Sequence, residues 1–263
     1  MKYCSIGSGS SGNCHYVGYK DTNLLVDAGL SGKKITSGLD DIDIDAKKLN
    51  GILVTHEHSD HIKGVGIISR KYDLPIYLNY RTWLALKDKI GNVKEENIKI
   101  FENDKNYAIG DLLVRPFSIK HDAADPVGYL FSDGTEKLSI ATDIGTITDN
   151  IRKNVLGSKV VVLESNYDKD MLLMGSYTYS LKKRVMSDIG HLSNEDASKF
   201  SVELIKNGSE KILFAHLSRE NNFPALAFET ANHILTENSI KLGKDVELDI
   251  LLRDSVSNIH KVR

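Results

Sequence analysis

Directly after a short apolar run at residues 51–55, the chain reads His56-Glu57-His58-Ser59-Asp60-His61, followed by Gly64. An apolar run of this length bounded by polar residues is a strand, and in an extended segment residues two apart point the same way. His56 and His58 therefore present their rings to one ion, while the chain turns and sends Asp60 and His61 to another. One motif can feed two metals. Zinc sites built on a helix place their histidines four apart, so this spacing is not that of the usual metalloprotease helix.

Two ions need more than four ligands, and three further residues stand at the ends of apolar strands. His121 follows the run 112–119, Asp143 follows 138–141, and His216 follows 212–215. His15, His233 and His260 have no such context and are read as surface or packing histidines.

The remaining pattern is that of an α/β protein. Short runs at 2–6, 15–19 and 23–27 precede the histidine cluster as strands, and apolar spacing of three and four predicts helices at 62–72 and 80–90. Runs at 76–79, 112–119, 127–131 and 138–141 predict further strands that extend the first sheet or start a second. Beyond Asp143, strands at 160–164, 212–215 and 246–251 alternate with helices at 194–207 and 225–236, which places helices on the outer face of a sheet. Ser193 with Asp196 three residues on forms a capping box, and Gly208 marks the matching stop. The acidic run 40–45 lacks the glycine and terminal glutamate of a calcium loop and reads as solvated surface.

Composition narrows the partners. A formal charge of -2 over 263 residues leaves no general basic surface, so any nucleic-acid contact must use a local patch. Cys4 and Cys14 cannot supply a disulfide framework, and no apolar stretch near the start is long enough for secretion or membrane spanning, so a cytoplasmic location and no membrane partner are expected.

The ordered set Asp27, His56-x-His58-x-Asp60-His61, His121, Asp143 and His216 resembles that of the metallo-β-lactamase superfamily, and it spans almost the whole chain. The resemblance implies one domain over 1–263 with a four-layer αββα sandwich and a site along the shared edge of its two sheets. It implies that His56, His58 and His121 bind one divalent metal ion, that Asp60, His61 and His216 bind a second, that Asp143 bridges them, and that Asp27 supports the site from behind. Gly7-Ser8-Gly9-Ser10-Ser11-Gly12-Asn13, Gly190-His191-Leu192-Ser193-Asn194 and His216-Leu217-Ser218 with Asn221-Asn222 are similar to the YycJ/WalJ group of bacterial proteins. That likeness implies a 5′-to-3′ exonuclease acting on double-stranded DNA.

Such a site would hold a water between two cations, lower its pKa toward neutrality and aim a metal-bridging hydroxide at a phosphodiester. Histidine and carboxylate ligands suit zinc or manganese, with iron possible. Asp60, His191 and Glu164 are expected to carry the chemistry. His191 stands just before the cap Ser193, near a helix N-terminus, as the donor of a proton to the leaving group. Glu164 is its partner, as an acid at the corresponding place is in related ribonucleases.

Lys182, Lys183 and Arg184, preceded by Tyr177 and Tyr179, read either as a phosphate track together with Ser193 or as plain solvated surface. The loop from Gly7 to Gly12 likewise reads either as a set of phosphate donors or as a tight turn. Other readings of the ligand set are a ribonuclease, cyclic phosphodiesterase, thioesterase or lactonase on the same scaffold, a di-iron redox protein, and a non-catalytic module that keeps metals for structure.

Overall fold

The computed structural model describes residues 1–262; Arg263, the last residue of the expected unit 1–263, lies outside the described residues. The early apolar runs pair in sequence order. β1 (Lys2–Gly7), β2 (Cys14–Tyr19) and β3 (Thr22–Val26) form an antiparallel meander. α1 (Gly32–Asp40), β4 (Gly51–Leu53), α2 (Ser59–Ile62), α3 (Val65–Tyr72), β5 (Ile76–Asn79), α4 (Tyr80–Leu86) and β6 (Ile98–Phe101) then add parallel strands beside β3.

The second half repeats the plan. β7 (Tyr107–Ile109), β8 (Leu112–Ser118), β9 (Val127–Ser132) and β10 (Lys137–Ala141) form a second meander. α5 (Asp149–Val155), β11 (Val160–Glu164), α6 (Lys169–Met174), α7 (Tyr179–Val185), α8 (Asn194–Lys206), β12 (Lys211–Ala215), α9 (Pro224–Glu237), β13 (Glu247–Ile250) and β14 (His260–Lys261) follow. One sheet has the order β14-β1-β2-β3-β4-β5-β6 and the other β13-β12-β11-β10-β9-β8-β7.

Burial on both faces of each sheet produces four layers. In β11, Val160 and Val162 face the other sheet beside Leu24, Val26 and Tyr129, whereas Val161 and Leu163 face the helices beside Ile151, Phe200 and Ala231. That is why the run Val160-Val161-Val162-Leu163 is apolar without alternation. The outer face of the first sheet packs on α1 through Ile35 and Leu39, and on α3 through Val65 and Ile68. The αββα sandwich expected from the sequence is therefore the fold observed. No helix among the described residues is long and apolar enough to cross a membrane.

The helix expected over 62–72 is two helices. Gly64 interrupts it because its N–H donates to Ala28 O at 2.6 Å, and a Cβ there would lie 2.5 Å from Leu30 O. The helix expected over 80–90 stops at Leu86, and the following residues turn so that Ile90 is buried. α1, α5, α6 and α7 escaped the sequence reading, although each begins at a side-chain cap: Ser31, Thr148, Asp168 and Thr178. In the acidic run, Asp40 ends α1 and Asp45 caps a single 3-10 turn over Ala46–Lys48, so it is structured surface rather than free loop.

Three contacts seat the histidine-rich loop. Asn13 N–H donates to Asp60 O at 2.8 Å, Ala28 N–H donates to His61 O at 2.9 Å, and Gly29 N–H donates to Asn13 O at 2.8 Å. A Cβ on Gly29 would stand 1.6 Å from Asp60 O, so no other residue fits without moving that loop. Gly29→Ala is expected to lower stability by about 1–3 kcal/mol and to reduce bound metal. Gly134→Ala, at a turn with φ of 96° and open space around it, is expected to lower stability slightly and leave metal content unchanged. Denaturant midpoints with elemental analysis of both variants check the pair.

Candidate metal centre

The C-terminal ends of β3, β4, β10, β11 and β12 converge at one edge of the sandwich and deliver Asp27, the histidine-rich loop, Asp143, Glu164 and His216. Asp27, Asp143 and His216 all adopt left-handed backbone, with φ of 59°, 55° and 56°. Aspartate tolerates this region better than most residues, and β-branched side chains least. The bend at each strand end turns the next side chain off the sheet, and the small backbone penalty sits where the site is.

Two clusters result. His56, His58 and His121 bring one nitrogen each to within 4.8 Å of one another, and Asp60, His61 and His216 do the same with their ligand atoms. Asp143 lies between them: its Oδ2 is 3.3 Å from His61 Nε2, while its Oδ1 is 3.4 Å from His216 Nδ1 and 3.7 Å from His121 Nε2. The two clusters are two of four overlapping groups of candidate ligands among the described residues and match the sets that the resemblance implies; the others are His56, His61 and Asp143, and Asp143, Glu164, His191 and His216. Within the loop, His58 has extended backbone, whereas Asp60 and His61 lie on the single turn of α2.

Four of these imidazoles are pinned at Nδ1. His61 Nδ1 donates to Asp27 Oδ2 at 2.7 Å, His216 Nδ1 to Glu164 Oε1 at 2.9 Å, and His121 Nδ1 to Gly190 O at 3.1 Å. His56 Nδ1 lies 3.0 Å from Thr55 Oγ1, whose own hydroxyl donates to Asp27 Oδ2 at 2.8 Å. A proton fixed at Nδ1 leaves the Nε2 lone pair free for a cation.

Two observations test whether the residues fit a metal. His56 Nε2 and Asp143 Oδ2 are buried without a hydrogen-bond partner, which is costly unless a cation satisfies them. The carboxylates of Asp27, Asp60, Asp143 and Glu164 also share one site, and among the described residues their ion partners within 4.0 Å are all imidazoles. So much buried negative charge requires positive charge beside it, from protons or from metal. Burial opposes a charge on His216, yet Asp143, Asp60 and Glu164 outweigh it and push its pKa up to about 10. His61 is raised in the same way by Asp27, Asp143 and Asp60 against its burial. The clusters fit divalent cations.

His191 and Glu164 meet as expected, with His191 Nδ1 2.8 Å from Glu164 Oε1. Burial works against charge on both; each nevertheless stabilises the other, so the histidine is raised and Glu164 is held down at about 2. Glu164 does more than the sequence suggested. The same Oε1 holds His216, and Oε2 accepts from the backbone of Ile144 at 2.8 Å and Leu192 at 3.1 Å.

A cavity of about 190 Å³ opens beside His191 and is lined by Ser10, Asn166, Tyr177, Arg184 and Asn221 among others. Of the expected substrate contacts, only Arg184 reaches it, and its guanidinium also pairs with Asp122. Lys182 donates to Leu173 O at 2.7 Å, and Lys183 lies over the Tyr179 ring, 5.1 Å from its centroid. Ser193 is buried and spends its hydroxyl on the cap of α8, where it accepts from Asp196 N at 3.1 Å and donates to Asp196 Oδ2 at 2.5 Å; it is a structural cap rather than a substrate contact.

Thr55, Asn13 and Asp122 escaped the sequence reading. Asn13 Nδ2 lies 3.1 Å from His61 Nε2 and 3.4 Å from Asp60 Oδ2, and its Oδ1 accepts from Gly9 N at 2.9 Å. Ser8 Oγ accepts from His216 N at 2.9 Å. The Gly-Ser loop thus braces both halves of the site. The signal for Asn13 was its place at the end of that loop, and for Asp122 its position directly after His121.

This fold and this site define a class: the chain belongs to the β-lactamase superfamily, in its metallo-β-lactamase branch, and the model of a β-lactamase superfamily domain matches residues 22–216. More narrowly, it is 41% identical over 248 residues to the exodeoxyribonuclease YycJ of Bacillus anthracis, covering 94% of each chain. It is 41% identical over 250 residues to the exodeoxyribonuclease WalJ of Streptococcus pneumoniae, covering 94% of this chain and 93% of that one. Among solved structures it resembles the metallo-β-lactamase fold protein YhfI of Bacillus subtilis, with a TM-score of 0.73, 16% identity and coverage of 98% and 99% of the two chains. Zinc-bound PqqB of Methylobacterium extorquens matches with a TM-score of 0.72, 14% identity and coverage of 98% and 100%.

Because Asp27 fixes both Thr55 and His61, Asp27→Asn is expected to weaken metal binding by about 10- to 100-fold while the fold survives. Competition against a chelator of known affinity, beside circular dichroism, measures the two effects separately.

Proposed function

We propose that this protein is a metal-dependent exodeoxyribonuclease that degrades double-stranded DNA from 5′ to 3′. The observation that carries the reading is the 41% identity to proteins named exodeoxyribonucleases across nearly the full length of both chains. The two clusters would hold two divalent cations, zinc or manganese, with iron compatible with the same donors: His56, His58 and His121 on one side, Asp60, His61 and His216 on the other, and Asp143 between. Bound there, such ions supply Lewis acidity and an activated water.

The chain's own residues do the rest. Asp27, Thr55, Glu164 and the Gly190 carbonyl hold the imidazoles in one tautomer, so the donors are in place before substrate arrives. With Nδ1 committed to Glu164, His191 carries its mobile proton at Nε2 and delivers it to the departing sugar oxygen. Asp60 faces His61 and His216 at the cleft side and takes part in orienting the reacting group as well as in holding the ion. Arg184, in the cavity beside His191, neutralises a phosphate of the bound strand.

The unit 1–263 acts as one domain in this reading, since β14 pairs with β1 and the last strand returns to the first. A reducing cytoplasm suits it, because Cys4 and Cys14 are both buried free thiols.

His191→Ala is expected to keep its metal and lose about 10²- to 10⁴-fold in turnover, whereas Asp143→Ala loses metal as well. Elemental analysis beside digestion of end-labelled duplex by each variant is the check; equal metal loss in both would make His191 a ligand and remove the proton donor. For the activity itself, metal-loaded protein is offered 5′-phosphorylated duplex DNA, RNA and a thioester. Turnover of the thioester with both nucleic acids left intact would replace this reading with that of a thioesterase.

A further inference from the structure

Between β11 and α8 the chain makes an excursion that the sheets do not require. Its two short helices, α6 and α7, rest on a small cluster of their own, Tyr167, Leu172 and Val185 with Tyr177 and Leu181 packed against it. The underside of the excursion lines the His191 cavity through Tyr177, Leu181, Arg184 and Val185. Its outside carries Leu173, Met174, Tyr179, Met186 and Ile189, all exposed, with Met174 at 88% and Tyr179 at 74%. A solvent-facing concentration of large apolar side chains marks a contact surface.

Charge selects the occupant. Between β11 and α8 the chain holds four cations, Lys169, Lys182, Lys183 and Arg184, against three acids, Asp168, Asp170 and Asp188. Lys169 pairs with Glu195 and Arg184 with Asp122, which leaves Lys182 and Lys183 without an acid partner among the described residues, Lys182 directly beside the tip through its bond to Leu173 O. An apolar tip flanked by cations and set beside a phosphodiester-cleaving cavity matches a nucleic-acid end, where a flat apolar base pair is bordered by phosphates. A purely apolar protein partner would call for the apolar patch but not for the two acid-free lysines, Lys182 and Lys183, beside it.

We propose that the excursion formed by α6 and α7 is a wedge that seats the terminal base pair of a DNA duplex. Leu173 and Met174 cover the exposed face of that pair. Lys183 and Arg184 bracket the phosphates of the strand to be cut, and that strand passes beneath Tyr177 into the cavity at His191. The inference rests on the exodeoxyribonuclease reading and adds a residue-level basis for recognition of duplex ends. Leu173 and Met174 are positioning residues: they touch no reacting atom.

The test uses metal-loaded full-length protein and the double variant Leu173→Ala/Met174→Ala, with Met174→Leu as the conservative control. Three readouts are compared: digestion of blunt duplex, hydrolysis of bis(p-nitrophenyl) phosphate, and fluorescence of 2-aminopurine at the terminal position of a duplex. The double variant is expected to digest blunt duplex about tenfold more slowly, to lose the protein-induced change in 2-aminopurine emission, and to hydrolyse the small diester at the wild-type rate. Met174→Leu is expected to behave as wild type in all three. Equal loss on duplex and small diester, or duplex digestion at the wild-type rate, overturns the wedge. Wild-type protein that hydrolyses the small diester but leaves every DNA intact instead overturns the exodeoxyribonuclease reading, and does so before any substitution is made.

Discussion

Asp27 is the constraint from which the rest of the site follows. Its buried carboxylate accepts from Thr55 N at 2.9 Å, Thr55 Oγ1 at 2.8 Å and His61 Nδ1 at 2.7 Å, so one side chain at the end of β3 fixes the end of β4 and the turn of α2 together. A carboxylate buried this deeply is tolerable because both of its oxygens are met by donors. His61 is thereby locked as an Nδ1–H tautomer facing inward, and Thr55, held by the same acid, sits beside His56 Nδ1. Both clusters inherit their geometry from that acid. Without it, two histidines would keep their places in the chain but not their orientation.

Glu164 plays the matching part on the second sheet, with a difference. It holds both His216, which faces Asp60, and His191, which faces the cavity. A single carboxylate therefore couples the position of a ligand to the proton inventory of the neighbouring histidine. Its backbone bonds to Ile144 and Leu192 further tie the Asp143 turn to the segment carrying His191. Local strain is consistent with this arrangement: Asp27, Asp143 and His216 accept left-handed backbone at the ends of their strands, and the apolar layers on both sides of those strands supply the stability that holds them there.

Much of this was legible in the sequence, for identifiable reasons. The candidate ligands could be singled out because they stand at or just beyond the ends of apolar runs, strands are recognised by such runs, and the structure brings those residues together. The four-layer sandwich was implied by the family resemblance, whereas the residues themselves gave only strands followed by alternating strands and helices; the structure explains the unbroken run Val160 to Leu163 by covering it on both faces. What escaped were features set by tertiary contact. The break at Gly64 depends on Ala28 and Leu30, more than thirty residues earlier, and nothing in the local periodicity of 62–72 reveals it. The roles of Thr55 and Asn13 exist only because β2, β3 and α2 meet. Ser193 was correctly read as a cap; its hydroxyl accepts from Asp196 N and donates its proton to Asp196 Oδ2, and the side chain is buried, which turns it away from a substrate. The triplet Lys182-Lys183-Arg184 divides on a seven-residue helix: Leu181, Arg184 and Val185, spaced three and four apart, form the face that lines the His191 cavity, and Lys182 and Lys183 lie off that face.

That division bears on how a protein of net charge -2 engages a polyanion. Its surface offers no general attraction for DNA, and four carboxylates surround the metal clusters themselves. Divalent cations bound there would lessen the repulsion that a phosphate meets from these carboxylates, apart from any part they take in the reaction. Attraction must then come from the rim, where Arg184 is partly neutralised by Asp122 and Lys183 lies along Tyr179. With few free cations, affinity drawn from phosphate contacts stays modest and salt-sensitive. In the proposed wedge the exposed side chains of Leu173 and Met174 would add an apolar contribution that salt does not screen. Weak hold on the duplex interior and a specific hold on its terminus are what an enzyme working inward from an end requires.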